Sequence, residues 1–239
     1  MKILALETSA KAVSAAVVEN HTVLASAYQN RGLTHSVTLM PMVETMLQNA
    51  GMTAHDMELI AVAAGPGSFT GLRIGISAAK GLAWALELPC CGVSTLEAMA
   101  ENVTAFEGTV ICAMDARRQQ IYNAVFDCRG GCLTRRCEDR AIALEVLAQE
   151  LAQDSDEKIM VGDGAQLCYT YLSEQGIRCR MAPAGCLYQR ASGVGFAAQR
   201  IAAQGGTVAP QALRPVYLRL SQAERERLAK GLPITVEQQ

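Results

Sequence analysis

Glu7 and Asp115 are the side chains whose setting in the sequence best suits chemistry. Each closes an apolar run that opens with isoleucine: Ile3 leads to Glu7 in ILALE, and Ile111 leads to Asp115 in ICAMD. A carboxylate at the end of an apolar strand suits a metal-bound water or a general base. The stretch after Glu7, TSAKAV, has no glycine, so the backbone there cannot approach a phosphate closely. The second candidate is AAGPGSFTGLRIG, from Ala63 to Gly75. It lacks the Lys-Ser/Thr pair of a Walker loop. Gly65, Gly67 and Gly71 read first as steric devices that turn the chain and let the next helix lie close on a sheet. The free N–H groups of such a loop also suit an anion. A third loop, GDGA (Gly162 to Ala165), suits a nucleotide phosphate in pattern but carries little weight alone.

The other reactive residue types form no obvious site. The three histidines, His21, His35 and His55, fall at a turn and at two helix starts, far apart in the chain. Nine cysteines contain no Cys-x-x-Cys pair, and Cys128, Cys132 and Cys137 match no common zinc spacing, so they read as reduced packing thiols of a cytosolic protein. The charge of −2 argues against a chain that holds nucleic acid by itself, and 5% aromatics leaves little for base stacking. The amino terminus meets a carboxylate at Glu7, which speaks against a signal peptide. No apolar run approaches the ~20 residues of a membrane span.

These residues need elements to hold them. Lys2 to Glu7, Ala12 to Glu19 and Thr22 to Gln29 read as strands, the last two joined by a tight turn at Glu19-Asn20-His21. A helix follows, capped by Thr34 or Ser36 and stopped by Gly51, with Pro41 expected to kink it if it lies past the first turn. Glu58 to Gly65 is a strand buried on both faces, Thr70 to Glu87 a helix, and a short strand ends at Val93. Ile111 repeats the Ile3 pattern 108 residues later, ending in the hairpin signal Arg129-Gly130-Gly131. A helix over Ala141 to Ala152, a strand over Lys158 to Val161 and a helix over Arg190 to Gln204 complete the second half. This weak repeat predicts an α/β protein of two lobes with related topology. The plan resembles that of the actin-like ATPase and sugar-kinase superfamily, which implies duplicated ribonuclease-H-like lobes and would make Glu7 and Asp115 the metal-water or base carboxylates of a phosphotransferase. The expected divisions are a first lobe over 1–102, a second over 103–205, and a tail over 206–239 that packs back on the first lobe.

A narrower resemblance rests on ALETSAKAVSAAVV, THSVTLMPMVETML, GPGSFTGLRIGISAAKGLAWALELP, GVSTLEAMA and GDGA, with a return at RPVYLR (Arg214 to Arg219). These stretches resemble the TsaB (YeaZ) family. The resemblance implies a non-catalytic paralogue of the transferase subunit TsaD, in the cytoplasmic complex that makes N6-threonylcarbamoyladenosine at position 37 of tRNAs reading ANN codons. It implies a heterodimer with TsaD, a TsaE-like ATPase as a further partner, and tRNA reached only through the complex. The same face can form a homodimer when TsaD is absent. ATP or ADP would bind, if at all, within the assembled complex. TsaD holds its metal through His-x-x-x-His; the matching positions here are Thr95 and Met99, whose hydroxyl and thioether do not replace imidazole. The alternatives are an actin-like small-molecule kinase, a metallopeptidase-like enzyme, or a nucleotide-binding regulator that uses GDGA. Arginines 117, 118, 129, 135, 136 and 140, diluted by acids, read as a solvated hairpin face or a minor tRNA backbone contact.

Helix faces suggest where a partner sits. On the helix from Thr70, the residues Arg73, Ser77, Lys80, Trp84 and Glu87 fall within about 40° of one line, flanked by Ile76 and Ala83. The lone tryptophan therefore lies among charged residues, a common make-up for a binding centre. On the preceding helix the apolar residues cover an arc of about 160°, wider than the ~100° one core contact needs. In the TsaB family these two helices build the contact with TsaD. The interface expected here comprises Leu39, Met42, Met46, Arg73, Ile76, Ser77, Lys80 and Trp84.

Overall fold

The computed structural model describes residues 1–117, 120–219 and 227. The first sheet is built from β1 (Lys2–Glu7), β2 (Val13–Glu19), β3 (Thr22–Gln29), β4 (Leu59–Gly65) and β5 (Cys90–Ser94). Its order is β3-β2-β1-β4-β5, with β2 antiparallel to its neighbours and β4 and β5 parallel to β1. The β2–β3 hairpin turns through Asn20 and His21, both left-handed (φ 48° and 60°), as a two-residue type I′ turn requires. The second sheet contains β6 (Gly108–Asp115), β7 (Gln120–Arg129), β8 (Cys132–Arg135), β9 (Arg140–Ala143), β10 (Lys158–Val161) and β11 (Arg180–Met181). Its order is β11-β10-β6-β7-β8, with β9 also paired to β7. Read from the β8 edge, that order repeats the first sheet, strand for strand. The two halves are thus copies of one topological plan, the duplicated ribonuclease-H-like arrangement of the actin-like ATPase and sugar-kinase fold.

Among the described residues, six α-helices of a complete turn or more cover the sheets: α1 (His35–Asn49), α2 (Phe69–Ala85), α3 (Thr95–Glu101), α4 (Leu144–Leu151), α5 (Ala165–Glu174) and α6 (Ala191–Ala203). Alternation along each strand sorts the side chains. In β1, Leu4 and Leu6 face α1 and α2, while Ile3 and Ala5 face α6. In the second sheet, Ile111 and Ala113 face α4 and α5, while Val110 and Cys112 face α3. The small residues Ala98, Ala191, Ala197 and Ala198 let α3 and α6 pack closely in the layer between the sheets. By sequence α6 falls in the stretch 103–205 assigned to the second lobe, yet it packs on the first sheet. The chain then stays there: Val208 bridges to Cys90, and Leu213 is buried in the first-sheet core. The remainder of the tail, 220–226 and 228–239, lies outside the described residues.

One helix expectation needs correction. Residues Ala141 to Ala143 are strand, not helix: Ala141 pairs with Tyr122 and Ile142 with Ile121, and α4 begins only at Leu144. The unpaired edge of β7 captures this segment before the helical pattern takes over. At α1 the cap is Thr34, whose side chain makes no capping bond, and Pro41 lies inside the helix. All nine cysteines are free thiols, and five of them are buried. Among the described residues no helix is long and apolar enough to cross a membrane.

Candidate functional site

Glu7 and Asp115 occupy matching positions at the ends of β1 and β6, and each organises the turn that follows. Glu7 Oε1 accepts from Ser9 N at 2.5 Å, and Asp115 Oδ1 accepts from Arg117 N at 2.7 Å. Both acids therefore serve as acceptors for the backbone two residues on. Their settings differ: Glu7 is fully buried with Oε2 unpaired among the described residues, whereas Asp115 is exposed. Burial pushes the Glu7 carboxyl up to about 7, partly offset by its bonds to Ser9, with the Asp163 charge adding to the rise. Asp115 and Asp163 line a cleft of about 750 Å³ between the lobes, together with Ser9, Lys11, Arg117 and the segment Val216–Arg219.

The glycine loop sits beside this cleft as a mount for α2. A Cβ on Gly71 would lie 2.2 Å from the Thr8 carbonyl oxygen, so α2 presses directly on the β1–β2 turn. Thr8 Oγ1 donates to Gly71 O at 2.7 Å, and Ser68 N donates to Ser9 O at 2.7 Å. The loop N–H of Ser68 is thus already taken by protein. Ser68 caps the helix, its Oγ accepting from Gly71 N at 3.3 Å. Replacing Ser68 with alanine is expected to cost about 1 kcal/mol of stability, readable by urea unfolding.

Thr95 and Met99 lie in the interior. Thr95 is fully buried with its hydroxyl unpaired among the described residues, and Met99 packs in the core between α3 and the second sheet. These residues do not fit a metal, and no group of three or more His, Cys, Asp or Glu side chains among the described residues is placed to hold one. Elemental analysis of the purified chain is expected to find well under one bound metal per chain. A stoichiometric metal, lost on mutation of α3, would overturn that expectation.

On α2, Arg73, Ser77 and Trp84 are exposed, Trp84 at 64%, and Lys80 is half-buried. Neither Arg73 nor Lys80 has a carboxylate partner among the described residues. Val37 (70%) and Met40 (41%) are exposed large apolar residues of α1. Three of the expected interface residues, Leu39, Met46 and Ile76, are buried in the first-sheet core, and Leu39 also lines the groove between α1 and α2 beside Arg73. Each such buried side chain contributes roughly 1.5–3 kcal/mol to the fold. Met42 is half-buried and lines a separate groove between α1 and β3. Sequence reasoning missed Phe69 and Tyr217, which stack beside Arg73. The RPVYLR motif was the available signal for the second. In the arginine-rich hairpin, Arg118 lies outside the described residues, while Arg129, Arg135, Arg136 and Arg140 are all paired with acids.

Two duplicated lobes, carboxylates at equivalent turns and a cleft between them define an actin-like protein whose α2 displays an exposed tryptophan. The model of the family described as "TsaD: tRNA N6-adenosine threonylcarbamoyltransferase" matches residues 23–226. The chain is 35% identical over 222 residues to the tRNA threonylcarbamoyladenosine biosynthesis protein TsaB of Escherichia coli, covering 92% of this chain and 95% of that one. It is 35% identical over 167 residues to TsaB of Bacillus subtilis, covering 70% and 73%. The solved structure of YeaZ from Pseudomonas aeruginosa superposes with a TM-score of 0.77 at 29% identity, covering 91% and 99%. The chain belongs to the TsaB (YeaZ) family.

Proposed function

We propose that this chain is the non-catalytic subunit of the complex that forms N6-threonylcarbamoyladenosine at position 37 of tRNAs reading ANN codons. It acts by pairing with and supporting the transferase subunit TsaD, with a TsaE-like ATPase joining the pair in the bacterial complex. The observation that carries this reading is the 64% exposed Trp84 on a helix whose cations Arg73 and Lys80 lack acidic partners within the described chain. A large aromatic beside unpaired cations is the composition of an interface centre. The buried Thr95 and Met99 support the non-catalytic part, since no imidazole stands where a metal would be held.

The test is reconstitution. The chain alone is expected to make no threonylcarbamoyladenosine on tRNA and to hydrolyse no ATP at a useful rate. Added to the transferase, it should raise product formation. Robust product from the single chain, abolished by Glu7→Gln or Asp115→Asn, would instead favour an enzyme of the kinase-like class.

A further inference from the structure

The segment from Leu213 to Arg219 is anchored at several points. Leu213 is in the first-sheet core. Val216 N donates to Ala64 O at 2.7 Å. Gly65 makes that approach achievable: its φ is +134°, and a Cβ there would lie 2.2 Å from Val216 O. Arg219 Nη1 donates to the Ala116 carbonyl, across the cleft. Tyr217 is held between these anchors. Its ring stacks on Phe69 with centroids 4.6 Å apart and planes 23° apart. Its hydroxyl accepts from Arg73 Nε at 3.0 Å. The Arg73 guanidinium carbon sits 4.0 Å above the Phe69 ring.

We infer that Phe69 and Tyr217 fix Arg73 as a fork that receives an acidic side chain of the partner, so that the carboxy-terminal segment is part of the docking face. This rests on the transferase pairing proposed above. The chemistry follows from what is left over. Tyr217 uses only Nε, and neither terminal nitrogen of Arg73 is bonded within the described chain. Two parallel N–H groups in a fixed plane match a carboxylate end-on. A guanidinium already held by a ring and a hydroxyl loses little freedom on binding, so preorganisation adds affinity. Lys80 extends the same sign along the helix, and the adjoining groove is lined by Leu39, Met40, Ile74 and Ala78. The occupant is therefore an amphipathic element with an acid aimed at Arg73. Tyr217 acts as a positioning residue.

Calorimetric titration of the chain with its transferase subunit, at low and high salt, tests this. Tyr217→Phe keeps the stack and removes one charge-assisted hydrogen bond. It should weaken binding about tenfold with an unchanged melting temperature. Arg73→Ala should weaken binding further and flatten its salt dependence. The double variant should bind no more weakly than Arg73→Ala, because Tyr217 acts only through Arg73. Wild-type affinity in Tyr217→Phe, or effects that simply add, with Trp84→Glu still disruptive, overturns the fork alone. No binding by the unaltered chain overturns the pairing and the fork together. Dissociation of a homodimer by these variants, without transferase binding, would put a second copy on this face and overturn the assigned occupant.

Discussion

Trp84→Glu is expected to abolish binding of the transferase subunit while the chain stays folded. The indole is 64% exposed and stands outside all four hydrophobic clusters, so removing it takes little from the core. Its helix is held from the other side by Leu72, Ile76, Ala79 and Ala83, all buried. At a docked interface the ring would be covered and a carboxylate in its place would be buried without a partner. Truncation of a central aromatic anchor typically costs about 2–4 kcal/mol, and the introduced charge adds to that. Thermal unfolding of the isolated variant is the control. A sharp fall in melting temperature would mean that Trp84 supports the fold rather than the complex. A stable variant with unchanged affinity would move the contact to another surface.

Glu7 should make stability depend on pH over a definite window. Its carboxyl is raised from 4.5 to about 7 in the folded chain, chiefly by burial. Between those values the folded state holds a proton that the unfolded state has released. Stability from this group is therefore fullest below about pH 4.5, falls as pH rises to about 7, and is level above that. The shift corresponds to about 3 kcal/mol. Glu7→Gln mimics the protonated form and keeps an acceptor for Ser9 N. It should match the parent near pH 4.5 and exceed it by up to about 3 kcal/mol at about pH 8. Denaturant unfolding across that range provides the measurement. Equal curves for parent and variant would show that Glu7 carries no such shift.

Much of the fold was legible because its elements are locally consistent. β3 and β10 begin and end at the residues expected, and the Asn20-His21 and Gly130-Gly131 turns have the positive φ their residue types favour. The repeat from Ile3 to Ile111 was visible because both strands need the same closing acid to build the same turn. What failed were judgements of depth. A helical projection gives a direction but not the number of neighbours lying in it. The wide apolar arc of α1 reads as spare surface, yet Leu39, Val43, Met46 and Leu47 are all buried within the chain. Ile76 flanks the Trp84 line in projection but packs on the first sheet. Long-range contacts were the other loss. Nothing local to Tyr217 signals that it will stack on Phe69, 148 residues earlier in the chain. Likewise β9 is a strand only because β7 offers it an edge.

The most direct test of the account is a titration of the purified chain with the TsaD-type transferase encoded in the same genome, followed by sedimentation of the mixture. A one-to-one complex should form with the parent chain and be lost with Trp84→Glu, with both chains still folded. Two species that sediment independently at every ratio would contradict the account at its centre.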